Sequence, residues 1–292
     1  MIRVVAYNVG AGLDVGAAGE VLAALHPTVV CVLEAPPAAK LKRLARPATL
    51  EIAARFGRRG NGTAVLVAPH VHLLAKVGVP LTTSRGVPRR EATHAIVSIG
   101  GTRLSVTAVQ LGLRPEVRRR NLDELTGMLD SVEALTVVGC DLNESSRAPV
   151  AEALAARYQD AHATAGVGSG LTYPTTDLST RQDFVFVDQR LRVRRCFSPT
   201  DPPVEVASQH RPVAADIELP GADADGQDCD ARPRERRSVS GGQGPARGGR
   251  RPEAVSPSEA PPESESPAES EAPPECAPSR NPGHPSTMRG RP

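Results

Sequence analysis

Through residues 1–219, short apolar runs alternate with breaks rich in Gly, Pro, Asn and Asp, and a few stretches carry an apolar stripe at helical spacing. The alternation predicts strands at 2–8, 28–34, 62–68, 71–78, 93–99, 102–110, 135–141, 183–188, 191–197 and 212–219. Helical patterns fill 16–25, 37–46, 115–131 and 147–157. The stretch 115–131 is the clearest. Pro115 suits a first helical turn, Glu116 suits its positive end, and Val117, Leu122, Leu125 and Leu129 share one face. Between 62 and 110 strand follows strand with no helix between, which implies hairpins and antiparallel pairing. Mixed strand order with flanking helices predicts an α+β fold, a four-layer α/β/β/α sandwich of two mixed sheets, over a doubly wound parallel sheet.

The pattern stops after Leu219. From Pro220 to Pro292 the apolar periodicity is gone. Arg232 to Arg251 carries most of the tail's positive charge, and the Pro/Ser/Glu-rich stretch Ala254 to Pro278 is acidic. A chain of this composition buries too little apolar surface to offset its ordering entropy, so 220–292 is expected to be a disordered tail behind a folded domain at 1–219. It reads as a plain extension more readily than as a tether or a partner-binding arm.

Composition adds a few bounds. There is no Trp, so Val, Leu, Ile and Ala must build the core. A formal charge of +2 does not announce a nucleic-acid protein. The five cysteines show no metal-finger spacing, and Cys31 and Cys140 fall in apolar runs where free thiols pack as small hydrophobes. That suits a reducing compartment, and with no signal-peptide layout and no apolar run near the ~20 residues of a membrane span, a cytoplasmic location is expected. The triplet Gly10-Ala11-Gly12 has Val15 where a dinucleotide fingerprint needs its third glycine, which removes that reading.

The chemistry is suggested by the polar residues that interrupt apolar strands. Asn8 and Glu34 each close one. Asp141 and Asn143 follow Leu135-Thr136-Val137-Val138, Asp183 opens Phe184-Val185-Phe186-Val187, and His210 stands before Pro212-Val213. Carboxylates and amides at strand ends are rigidly held and can meet at a shared sheet edge, the arrangement a hard cation requires. Each of them alone is an ordinary turn residue.

In order, these segments resemble the endonuclease/exonuclease/phosphatase superfamily. The similarity covers Ile2 to about Leu219 and rests on six short segments. They are Arg3-Val4-Val5-Ala6-Tyr7-Asn8-Val9, Val32-Leu33-Glu34, Gly139-Cys140-Asp141-Leu142-Asn143, Leu171-Thr172-Tyr173-Pro174, Arg181-Gln182-Asp183-Phe184-Val185 and Ser208-Gln209-His210-Arg211-Pro212-Val213. The resemblance implies a phosphoester hydrolase using Mg²⁺ or Mn²⁺. It places Glu34, Asn8 and Gln209 at the metal. Asp141 would activate water, Asn143 hold phosphate, and His210, oriented by Asp183, stabilise the transition state. Gln110 and Arg181 would contact substrate. Substrates on this fold include nucleic acids, phospholipid head groups and small phosphoesters, and the sequence does not choose among them.

Two positions depart from the family's pattern. Gln209 stands where an Asp is usual, and Gln110 where relatives carry His. Gln209 loses a ligand charge and Gln110 cannot titrate. The alternative is therefore a catalytically degenerate protein of the same fold that binds phosphate or metal. Elsewhere, His70, His72 and His94 read as hairpin surface before a zinc site. Arg114, Arg118, Arg119 and Arg120 read as a solvated helix face before a phosphate-contacting patch.

Overall fold

The computed structural model describes residues 1–10, 13–57, 62–87 and 90–220. The expected tail beyond Pro220 lies outside the described residues. In chain order the elements are β1 (Ile2–Asn8), α1 (Val15–Leu25), β2 (Val29–Ala35), α2 (Ala38–Ala45), β3 (Glu51–Phe56), β4 (Gly62–Val67), β5 (His72–Leu81), β6 (Arg90–Ile99), β7 (Thr102–Gln110), α3 (Pro115–Asp130), β8 (Leu135–Asp141), α4 (Pro149–Ala155), β9 (Gln159–Asp160), α5 (Ala161–Ala165), β10 (Gly166–Val167), β11 (Asp183–Val187), β12 (Arg192–Phe197), α6 (Val204–Ala207) and β13 (Val213–Glu218).

The strands form two mixed sheets, ordered β10-β12-β13-β1-β2-β4-β3 and β5-β6-β7-β8-β11-β9. Strand periodicity sorts their side chains into layers. Val4, Ala6, Cys31 and Leu33 of the first sheet meet Val106, Ala108, Val137 and Val185 of the second in one buried cluster. Val5, Tyr7, Val30 and Val32 face the other way and pack under Leu22 of α1 and Leu41 of α2. Val109, Val138 and Cys140 likewise pack under Leu125 of α3 and Leu154 of α4. This is the expected four-layer sandwich. The hairpins β5–β6 and β6–β7 supply the antiparallel pairing predicted for 62–110.

The sheets approach closely at Gly139. A Cβ on this residue would stand 2.5 Å from Cβ of Cys31, so only glycine lets β8 lie flat against β2. The close fit continues to the strand ends and sets the spacing of the groups described below.

Several short elements, β3, β9, β10, α5 and α6, were not apparent in the sequence pattern. β3 is the instructive one. Glu51-Ile52-Ala53-Ala54-Arg55-Phe56 has few β-branched residues and lies on a sheet edge, interrupted by a bulge between Ile52 and Ala54. On α3, Leu125 and Leu129 are buried as expected, but Arg118 and Asn121 share that inner face.

Candidate active site

The inward-facing positions that are apolar along the middle of the strands become polar at one rim of the sandwich. On β1, Val4 and Ala6 lead to Asn8. On β7, Val106 and Ala108 lead to Gln110. On β8, Val137 and Gly139 lead to Asp141, and β11 enters the same rim with Asp183 ahead of Val185. Asn8, Asp141 and Asp183 are fully buried there.

Glu34 reaches the rim by a different route. Strict alternation from Leu33 would turn it outward, toward the helices. A bulge lies between Val32 and Ala35, and Glu34 has φ +50°. The left-handed backbone is unfavourable for glutamate and re-aims its side chain. Gly10 gives the carboxylate room, since a Cβ on residue 10 would overlap Oε2 of Glu34.

Three side-chain contacts cross between the sheets at this rim. Asn8 Nδ2 donates to Asp141 Oδ2 at 2.9 Å. Gln110 Nε2 donates to Glu34 Oε1 at 2.7 Å and to Asp141 Oδ2 at 3.0 Å. Asp183 of β11 meets His210, in the loop leading to β13, with 2.8 Å between Oδ2 and Nδ1. Asp141 also accepts the backbone N–H of Asn143 at 2.8 Å. Asn143, at φ +52°, directs one amide hydrogen bond to the carbonyl of Leu111.

The loop carrying His210 is held from two sides. Ser208 Oγ donates to the carbonyl of Asn8 at 2.7 Å and accepts the His210 N–H at 3.2 Å. Thr175 binds the carbonyls of Ser208 and Gln209, and Thr172 Oγ1 accepts the N–H groups of Gln182 and Asp183. The short segment around Tyr173-Pro174 therefore fixes both members of the His–Asp pair. The Tyr173 ring packs on that of His210, with centroids 4.6 Å apart.

These contacts set the charge states. Burial, the largest single influence on His210, opposes its imidazolium. The charge and hydrogen bond of Asp183, with Asp141 and Glu34 behind, outweigh it, so the His210 pKa is raised. Burial first, and then the charge of Asp183, push Asp141 up to about 6, against His210 and the bonds from Asn143 and Gln110.

The rim opens into a cavity of about 360 Å³ lined by Asn8, Glu34, Gln110, Asp141, Asn143, Gln209 and His210. Sequence reasoning thus named residues that the fold brings together, with one exception. Arg181, expected at substrate, lies outside this lining. Its guanidinium makes a bidentate pair with Asp160 at 2.9 and 2.6 Å and stacks on Phe184, 4.6 Å from the ring centroid. Asp160 lies 21 residues earlier in the chain, and its strand is too short to leave a sequence signal.

Arg90 was missed. It opens β6, lines the cavity, and has no side-chain hydrogen bond or ion pair among the described residues. Burial lowers its pKa, while the charges of Glu34 and Asp141 act in the opposite sense. In a chain with so many arginines, nothing in the sequence singled it out.

The remaining expectations change in detail. His94 is buried and its Nδ1 lies 3.0 Å from Thr107 Oγ1, whereas His72 is exposed on the edge strand β5, so these histidines do not gather around a zinc. Arg118 leaves the solvated face assigned to its cluster. It is buried, bonded to Glu144 at 2.8 Å and to the carbonyls of Gly112 and Leu113.

Glu34, Asp141, Asp183 and Asn8 form an oxygen-rich set that fits a hard divalent cation. Asp183 Oδ1 is buried without a partner, and among the described residues the lining sets two carboxylates, Glu34 and Asp141, against His210 and Arg90. Asp141, Asp183 and His210 place one ligand atom each within 4.8 Å of one another. His210 is already tied to Asp183, so the carboxylates are the better donors. Glu34 shares the amide of Gln110 with Asp141, which brings it to the same place.

With this geometry the comparisons agree. Residues 5–212 match the Endonuclease/Exonuclease/phosphatase family, and the chain belongs to it. No curated protein matches the sequence significantly. Among solved structures, an endonuclease/exonuclease/phosphatase from Bacteroides vulgatus is 18% identical, with TM-score 0.64, covering 75% of this chain and 99% of its own. A mannosyl-6-phosphatase from Bacteroides thetaiotaomicron is 13% identical, with TM-score 0.65, covering 75% and 100%. The human Nocturnin catalytic domain, solved with bound sulfate, is 16% identical, with TM-score 0.56, covering 74% and 93%. At these identities the likeness is one of fold.

Proposed function

We propose that the protein is a divalent-metal-dependent hydrolase of phosphoester bonds, with phosphodiesterase- or nuclease-like chemistry. The observation that carries this reading is the His210–Asp183 pair standing over the same cavity as Asp141 and Glu34. Glu34, with Asn8 and the exposed Gln209 beside it, would hold Mg²⁺ or Mn²⁺. The bound ion supplies Lewis-acid charge for phosphoryl oxygens. His210, whose protonation Asp183 favours by charge and hydrogen bond, would donate from Nε2 to a non-bridging phosphate oxygen. Arg90 adds a second positive charge to the same oxygens. Asp141, pushed up to about 6, accepts the proton of the attacking water near neutral pH. Asn143 offers its remaining amide hydrogen to the phosphate.

The fold-mates are consistent with this chemistry, since one is a sugar phosphatase and another holds a sulfate, an anion of phosphate's shape. A second reading is favoured by Gln110. Its amide occupies an oxygen of Glu34 and of Asp141 with hydrogen bonds, as expected in a protein that keeps the anion pocket and has lost turnover.

The test uses the full chain with bis(p-nitrophenyl) phosphate, p-nitrophenyl phosphate and plasmid DNA, under Mg²⁺, Mn²⁺ or chelator. Metal-dependent hydrolysis that falls about 10²–10³-fold in His210→Ala supports the enzyme. Turnover no higher than that variant under every metal, with phosphate binding retained, supports the degenerate protein.

A further inference from the structure

A second cavity of about 90 Å³ adjoins the first. Its walls come from the segment after β5, at Thr83, Ser84 and Val87, and from the β7–α3 connection, at Gly112, Leu113 and Val117. Arg90 and Leu113 line both cavities, so the two meet at a cation and an apolar side chain. Leu113 is 68% exposed and Val87 41%, high values for large aliphatic side chains beside a polar pocket. Gly112 shapes the floor, since a Cβ there would collide with Val117. Thr83, Ser84, Arg90 and Arg114 also line it, but the surface they and the aliphatic side chains turn toward the cavity is mostly carbon, while the neighbouring cavity is built from carboxylates, amides and His210.

We infer that this cavity is a specificity subsite. It seats a short alkyl chain or the edge of a ring, carried on the phosphoester whose phosphate lies against Arg90 in the first cavity. The inference rests on the phosphoester reading of that cavity and goes beyond it, because it selects a substrate class. Polar first cavity and apolar second cavity, joined at one arginine, match a compound with an anionic head and an apolar neighbour. The size argues for a small group, since ~150 Å³ is needed to enclose benzene fully. Arg114, Thr83 and Ser84 could also serve a second anionic group, but among the described residues they turn little polar surface toward the cavity, which the carboxyethyl compound below tests.

The experiment has two arms on the full chain with Mn²⁺. Calorimetry measures binding of methyl-, ethyl-, propyl- and butylphosphonate and of 2-carboxyethylphosphonate. Hydrolysis is followed with the matching alkyl p-nitrophenyl phosphates. Burial of each methylene predicts a two- to fourfold gain in affinity and in kcat/KM, up to the length the cavity holds. Val87→Asp and Val117→Asp, both folded by circular dichroism, flatten the series. Equal binding of methyl- and butylphosphonate, tighter binding of the carboxyethyl compound, or no phosphonate binding overturns the subsite. Turnover with a flat series leaves the hydrolase standing and removes the subsite. A binding series that climbs with no turnover does the reverse.

Discussion

Nε2 of Gln110 and Oε1 of Glu34 stand 2.7 Å apart across the seam between the two sheets, and the same nitrogen is 3.0 Å from Oδ2 of Asp141. One neutral amide therefore sits between two carboxylates, both drawn to its hydrogens. Position 110 thereby supplies hydrogen-bond donors to both acids and no titratable group.

Removing that amide should destabilise the fold in a pH-dependent way. Gln110→Leu removes the shorter of the two bonds to Glu34 and leaves Asn8 as the one side-chain donor shared by Glu34 and Asp141 among the described residues, at a cost of about 1–3 kcal/mol. The Gln110 bond is one of the influences that lower Asp141, so its carboxyl rises further above the unfolded value. An acid raised in the folded state favours folding at low pH and loses that contribution as pH rises through its folded pKa. Urea denaturation should show a larger loss at pH 7.5 than at pH 5, and added Mn²⁺ should recover part of it. Equal losses at both pH values would remove the electrostatic explanation.

Gly10→Ala should damage the metal site more than the fold. The added methyl overlaps Glu34 Oε2 and must push the carboxylate aside. Displacing a group that positions a ligand typically costs 10–100-fold in metal affinity. Calorimetric titration with Mn²⁺ should show a loss of that order with a melting temperature near that of the parent. Unchanged Mn²⁺ affinity would mean that Glu34 is not a ligand.

Asp183→Asn should move both limbs of the pH–rate profile toward acid. Asp183 raises His210 by charge and hydrogen bond, so its neutral replacement lets the imidazolium deprotonate at lower pH and shifts the alkaline limb down. Asp183 also raises Asp141 by charge, so the acid limb shifts down with it. If only one limb moves, the other belongs to a different group. The same substitution reads on stability, because a histidine raised in the folded state stabilises below its unfolded pKa and loses that contribution as pH rises through the folded one.

Arg118→Met should be costly where its neighbour is not. The Arg118–Glu144 side chains are only 11% and 7% exposed, and removing one partner strands the other charge, at about 3–5 kcal/mol. Arg119, exposed on the same helix, should change stability by no more than about 0.5 kcal/mol when replaced by Met. Denaturation midpoints of the two variants make the comparison.

Most of the rim was legible in the sequence because polar residues closing apolar strands break the alternation visibly, as Asn8, Asp141 and Asp183 do. Glu34 was legible as a residue but not as a geometry. Its aim depends on a bulge and a left-handed backbone that leave no trace in apolar periodicity. Arg181 was misassigned because its partner Asp160 sits on a strand too short to predict. Arg90 was invisible for the opposite reason, since arginine is common throughout the chain and only tertiary packing distinguishes this one. β3 was lost because alanines on an edge strand give no β signal.

The contacts Asn8–Asp141 and Gln110–Glu34 each take one partner from either sheet, and His210–Asp183 joins β11 of one sheet to the loop that enters β13 of the other. The reactive centre is therefore a gauge of how the two halves of the sandwich are seated, with Gly139 against Cys31 as its zero mark. A fragment containing one sheet alone holds half of every pair and should have no residual chemistry. During gradual denaturation, function should vanish as soon as the seam slips, while each sheet still keeps its own hydrogen-bonded ladder.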